Sequence, residues 1–194
     1  MLMMLAGMVL FFAPHSVAVA APGWRARMLL HLRAGTWKGV YSLISAVGLT
    51  LMLLGFAHTR AAPVVLYVSP TWLRYVTWLM MLPVFPLLFA AYLPGRIRTA
   101  TKHPMLAAVK IWATAHLLVN GTLGDVLLFG SFLAWAVVVR ISLKRRVVAP
   151  VPSAPPSRYN DLIALVMGLG LYALFLFKLH LLLFGVSPLA LPPG

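Results

Sequence analysis

"KHPMLAAVKIWATAHLLVNG", residues 102–121, decides how this chain is read. Most of the stretch would dissolve in lipid, yet it carries His103, Lys110 and His116 and ends in Asn120-Gly121. Polar groups at membrane depth cost free energy, because hydrocarbon offers them no hydrogen-bond partner. Ionisable residues kept there point by default to function.

The rest of the chain has the same apolar character. Of its 194 residues, 62% are hydrophobic and 9% charged, whereas a soluble domain carries roughly 25% charged residues. The chain therefore reads as an all-α, polytopic membrane helix bundle, one domain over residues 1–194. Its apolar start has no basic leader and no small-x-small cleavage site, and is read as the first membrane helix. There are no cysteines, which excludes disulfides, iron–sulfur clusters and thiolate ligands.

Six spans are expected, each near the length of about 20 residues that a bilayer needs. They run from Leu2 to Ala21 (interrupted by Pro14), Gly39 to Ala57, Trp72 to Leu93 (with Pro83 and Pro86), Pro104 to Val119, Leu123 to Val139, and Asn160 to Val186. The turn Asn120–Gly124 makes the fourth and fifth antiparallel neighbours. Residues 147–158 form a Pro-rich spacer before the last helix. Sixteen Lys and Arg stand against two acids, Asp125 and Asp161. Such a surplus often marks nucleic-acid binding, but here the charges sit in short loops, where they set topology and meet lipid headgroups, so no nucleic-acid partner is expected. The surplus also suits a ligand that carries carboxylates. Loops one, three and five hold Arg25, Arg27, Arg33, Lys38, Arg96, Arg98, Lys102, Arg140, Lys144, Arg145, Arg146 and Arg158, while loop two holds only Arg60 and Arg74. Twelve against two places the odd loops in the cytoplasm and both termini on the other side of a bacterial inner membrane.

The ionisable residues inside spans are His15, Lys110, His116, Lys178 and His180, with no carboxylate deep in any span. Proton relays and cation sites normally use carboxylates, so a proton-coupled transporter or cation channel is disfavoured. His116 lies roughly 18 Å from the cytoplasmic edge by helix rise, and His15 roughly 10 Å. Trp112 and Asn120 share the His116 face at i−4 and i+4. Two neutral imidazoles on different helices of an apolar bundle suit a haem iron; zinc or copper would need further ligands that the spans do not offer. The plainer alternative is that each imidazole hydrogen-bonds a neighbouring helix. His103, before Pro104, is placed at a helix N-cap at headgroup level. Lys110 is placed on the His103 face, snorkelling towards the cytoplasm. Lys178 and His180 are read as snorkelling the other way, and His31 and His58 as interfacial. Trp24, Trp37 and Trp72 read as interfacial belt residues, with no ligand role for the aromatics.

Five ordered blocks, "FFAPHSVAVAAPGWR" (11–25), "GTWKGVYSLIS" (35–45), "AYLPGRI" (91–97), residues 102–121 and "LLFGSFLAWAVVVRISLKRR" (127–146), resemble the NnrU family of bacterial membrane proteins over a core of about residues 5–146. Bacterial members are associated with denitrification, that is, nitrite and nitric oxide metabolism. Plant and cyanobacterial relatives are 15-cis-zeta-carotene isomerases, which carry haem b. The resemblance implies two histidine iron ligands, falling on His15 and His116, with His103 matching a third histidine of the pattern. His103 and Lys110 then become candidate partners of the haem propionates, and Asn120 a candidate support for His116.

Three functions compete. The first is a haem-b inner-membrane protein of nitrogen-oxide metabolism, with a nitrogen-oxide ligand and a redox partner the sequence does not name. The second is a redox-gated cis–trans isomerase of an apolar polyene such as a carotenoid. The third is a cofactor-free membrane assembly or transport factor. The colour of purified protein separates the third from the others.

Overall fold

A computed structural model describes residues 1–31, 34–145 and 152–190. Arg33, Arg146 and the first part of the Pro-rich spacer (147–151) lie outside the described residues. Among the described residues ten α-helices follow in order: α1 Leu2–Ala20, α2 Pro22–His31, α3 Ala34–Thr59, α4 Leu73–Met81, α5 Val84–Ala90, α6 Arg96–Thr101, α7 Pro104–Val119, α8 Leu123–Leu143, α9 Asn160–Leu174 and α10 His180–Phe184. A π-helical turn, Phe175–Leu179, joins the last two. Among the described residues there is no strand, only an isolated antiparallel bridge between Val65 and Thr122.

Five stretches are long and apolar enough to cross a membrane: 2–20, 35–59, 73–90, 123–143 and 160–184. The third is α4 and α5, interrupted at Pro83, whose ring cannot donate the helical hydrogen bond. The expected fourth span is shorter. Helix α7 has 16 residues, about 24 Å of rise, because Pro104 starts it and extended backbone at Asn120 stops it. Its faces are covered largely by protein: it packs on α8, α4 and α5 and buries Pro104, Leu106, Ala108, Ala113 and Ala115. Helices α2 and α6 lie in loops that were counted as charge carriers alone.

Close approach of backbones explains the tightest pairing, α1 with α3. A Cβ at Gly7 would lie 2.7 Å from the Gly48 carbonyl oxygen, and one at Gly48 would lie 2.5 Å from the Phe11 nitrogen. Lipid supplies no hydrophobic drive between helices, so small residues that permit dispersion contact take its place. Cross-helix hydrogen bonds hold other pairs. Thr77 Oγ1 donates to the Ala115 carbonyl at 3.0 Å and Tyr172 to the Trp78 carbonyl at 3.0 Å.

The two acids both serve helix N-termini. Asp125 completes a capping box with Thr122 at the start of α8. Asp161 reaches across from α9 and accepts from the Arg96 and Ile97 amides at 2.8 and 3.1 Å, capping α6. Beside it, buried Asn160 donates to the Pro94 and Pro155 carbonyls. The "AYLPGRI" block is thus the seat of the last span.

The loops gather at two ends. At one end, Asp161 meets α6 and the Ala154 amide meets the Tyr92 carbonyl. At the other, Arg60 and Arg74 donate to the carbonyls of Phe184 and Ala190, so the two positive charges that depart from the loop bias tie down the C-terminal segment. At that end Leu66 and Tyr67 fold over the α7–α8 turn, their amides donating to the Gly121 carbonyl at 2.8 and 3.1 Å.

Candidate functional site

His116 sits on α7, one turn from its end, partly buried. Its Nδ1 lies 2.9 Å from the Trp112 carbonyl. A carbonyl only accepts, so Nδ1 carries the proton and Nε2 keeps its lone pair, the tautomer a metal ligand needs. The ring stacks on Phe129 of α8 at 4.6 Å and lies 5.3 Å from Trp112. His15 repeats the arrangement on α1. Its Nδ1 is 2.7 Å from the Phe11 carbonyl, and its ring stacks on Phe11 at 4.2 Å and faces Tyr41 and Trp135 at 5.1 and 5.9 Å.

No ring contact joins the two imidazoles directly among the described residues; aromatic side chains do. Phe11 meets Phe132 at 5.6 Å, Phe132 meets Trp112 at 5.3 Å, and Trp112 meets His116. Helix α8 is the common wall, touched by both α1 and α7. His15 contacts Trp135 and His116 contacts Phe129, so the two sit about 9 Å apart along α8, an offset close to the one expected from helix counting. The lining of this cluster is Phe11, Trp112, Phe129, Phe132 and Trp135, aromatics other than the belt residues Trp24, Trp37 and Trp72. A signal for them exists: Phe129, Phe132 and Trp135 recur every three residues along one helix, next to Phe11-Phe12 on another.

The supporting residues divide. Asn120 donates through Nδ2 to the His116 carbonyl at 3.0 Å, holding the backbone of the ligand-bearing turn rather than its ring. Tyr67 adds a second hold there, donating to the carbonyls of Leu117 and Asn120. His103 occupies the α7 N-cap with no side-chain cap bond, and Pro104 is the first helical residue. Burial, with Arg140 and Lys102 beside it, holds the His103 imidazole below the ordinary histidine range. Lys102 has a left-handed φ of 61°, a strained value for a side chain with a Cβ. Lys110 is partly buried and has no hydrogen bond to another described residue. His31 and His58 are exposed at helix ends, His58 with its own i−4 carbonyl bond. Lys178 is exposed on the π-helical turn, and His180 bonds the Val186 carbonyl at 2.7 Å.

The donor set has the chemistry that a metal-centred aromatic macrocycle uses, while the rings of Phe11, Phe132 and Trp112 occupy the span between the two imidazoles. Two imidazoles have no hydrogen bond at Nε2 among the described residues, the lining is aromatic, and α1 and α7 are separately seated on α8. The buried Trp135 indole N–H beside His15 has no hydrogen-bond partner among the described residues, an unusual condition for a buried donor. Among the described residues no group of three or more His, Cys, Asp or Glu could hold a bare metal ion, so a small-ion site is not supported while a two-ligand cofactor is compatible.

Against known proteins, the family model described as NnrU protein matches residues 3–188. No curated protein and no solved structure matches the chain. The match extends past the resembling blocks to take in α9 and α10, and with it the chain belongs to the NnrU family, a membrane protein built of apolar helices.

Proposed function

We propose that this protein binds one haem b through His15 and His116 and works in nitrite and nitric oxide metabolism from a bacterial inner membrane, with both termini periplasmic. The observation that carries the haem reading is the paired geometry: two partly buried imidazoles, each with Nδ1 fixed to a carbonyl of its own helix, facing one aromatic cluster. The nitrogen-oxide role rests on the family resemblance alone. Bound haem would supply a one-electron couple and, with one imidazole withdrawn, a position for a small ligand.

The chain's own part is to fix the two rings and exclude water. The carbonyl bonds set the tautomer and raise ligand basicity. The two sides are held unequally. Helix α7 is braced below its end by Asn120 and Tyr67, whereas Pro14 denies the Leu10 carbonyl its helical donor just before His15. His15 is therefore the imidazole that yields to a small ligand. With no cysteine for thioether attachment, the cofactor is held without a covalent bond. The test is extraction: the purified protein is coloured, and acidified organic solvent removes all the haem from the chain. A colourless protein that takes up no added haemin overturns the reading.

A further inference from the structure

The third span leaves a groove where it breaks. Pro83 cannot donate the helical hydrogen bond, so α4 ends at Met81 and α5 starts again at Val84. Helix α9 packs on α5 at close range: a Cβ at Gly168 would lie 2.5 Å from Pro86 Cα. Beside that contact runs a groove of about 310 Å³, lined by Leu82, Pro83, Pro86, Leu165 and Leu169, with Ile97 of α6 at its loop end. Every lining side chain is apolar. Leu169 stands nine residues beyond Asn160, where α9 starts, so the groove reaches about 13.5 Å into the span. That is close to half of a hydrocarbon core about 30 Å thick.

A polar pocket adjoins the mouth of this groove. It measures about 620 Å³, and Arg96 and Thr99 of α6 line it with Pro94, Gly95 and Pro156. Arg96 and Ile97 are consecutive, so the two hollows lie on neighbouring faces of one helical turn. The Arg96 side chain is exposed and has no ion pair among the described residues. The first α6 amides are already taken, because Asp161 accepts from those of Arg96 and Ile97. Any anion here therefore meets side chains rather than the helix N-terminus. The other acid, Asp125, caps α8 at the opposite end. Arg96, Arg98, Lys102 and Arg158 thus stand at this end against one carboxylate, which is itself hydrogen-bonded.

We propose that one anionic phospholipid is held on this face of the bundle, with an acyl chain in the α5–α9 groove and its phosphate on the Arg96 guanidinium. The two halves occur in the order a lipid needs: an apolar trough one leaflet deep, and at its mouth a cation with no partner among the described residues. A guanidinium matches a phosphate in two parallel hydrogen bonds. The surplus of cations selects a headgroup of net negative charge over a zwitterionic one. The bound lipid touches α5, α6 and α9 together, where the last span is seated, and the site is independent of the haem reading.

The experiment titrates phosphatidylglycerol and phosphatidylcholine with identical chains into delipidated full-length protein in detergent, and counts retained lipid by native mass spectrometry. Wild type should hold one phosphatidylglycerol about fivefold or more tighter than phosphatidylcholine, the scale of one cation at a membrane surface. Arg96→Gln should narrow that preference to about twofold or less, and Arg96→Lys should keep most of it, which separates recognition from misfolding. Leu169→Trp fills the groove from an exposed position. It should weaken both lipids about fourfold or more, the scale of one displaced methylene, while their ratio holds. Arg145→Gln removes an exposed cation outside the site and should change neither value. Equal retention of the two lipids by wild type overturns the proposal. So does an unchanged ratio in Arg96→Gln, or an Arg145→Gln protein that loses the preference as fully, which is the mark of general surface charge. Leu169→Trp binding both lipids as wild type does also overturns it.

Discussion

Removing the Asp161 carboxylate should loosen the seat of the last span. Asp161 accepts two amide hydrogen bonds, from Arg96 at 2.8 Å and Ile97 at 3.1 Å. Bonds to a charged group are worth about 1.5–3 kcal/mol each when well buried, and losing a helix cap costs typically about 1 kcal/mol and up to about 2. Asp161 is only partly buried, so solvent screening brings the pair to about 2 kcal/mol. For a chain of this size that is a fall in Tm of about 4–8 °C. The neighbour sharpens the test. Gly95 has extended backbone that any residue adopts, but a Cβ there would lie 2.7 Å from Asp161 Cγ and 3.0 Å from its Oδ2. Gly95→Ala alone should therefore cost about 1–2 kcal/mol by displacing the carboxylate. In the Asp161→Ala background the obstacle is gone, and the same change should cost little, a coupling of about 1 kcal/mol or more. Thermal unfolding in detergent, followed by fluorescence across the four proteins of the cycle, measures it. Additive losses, or an Asp161→Ala protein that melts with wild type, would refute the reasoning.

Three further outcomes follow from the packing and charge. The His103 imidazole is held below its unfolded value of 6.5, so below that value the unfolded chain binds more protons, and stability falls as pH drops from neutral through this range; the pH dependence should flatten in His103→Gln, and an identical profile in both proteins would count against the assigned environment. Gly48→Leu should cost about 3 kcal/mol or more and strip folded protein from detergent extracts, because a Cβ there meets the Phe11 nitrogen at 2.5 Å, while Gly39→Leu, with nothing within 4 Å, should be tolerated. A C-terminal fusion to an enzyme active only outside the cytoplasm should be active, and activity confined to a cytoplasmic reporter would reverse the topology.

The spans were legible because apolar length is the constraint lipid imposes. Pro104 and Asn120 marked both ends of α7, and Leu123 the start of α8, since capping chemistry is local. What sequence hid was tertiary. Gly7 and Gly48 look unremarkable until two backbones meet. Asp161 reads as a lone acid, and only the fold brings it to the amides of Arg96 and Ile97. The shortness of α7 was visible, but not that Leu66 and Tyr67 fold over its end. For the site, the imidazoles stood out because lipid makes them costly. The aromatics did not, since Phe and Trp are at home in a membrane with or without a role. Arg140 was counted as a loop charge, and its partial burial beside His103 emerges only when α7 and α8 are packed.

The central claim is that His15 and His116 hold one iron between them, and paired ferric and ferrous absorption spectra of wild type, His15→Ala, His116→Ala and the double variant test it most directly. Wild type should be six-coordinate and low-spin in both states. His116→Ala should lose most haem. His15→Ala should lose it or turn high-spin, and its ferrous form should bind CO faster than wild type, where release of His15 limits the rate. Haem retained with an unchanged low-spin spectrum in the double variant would contradict the account.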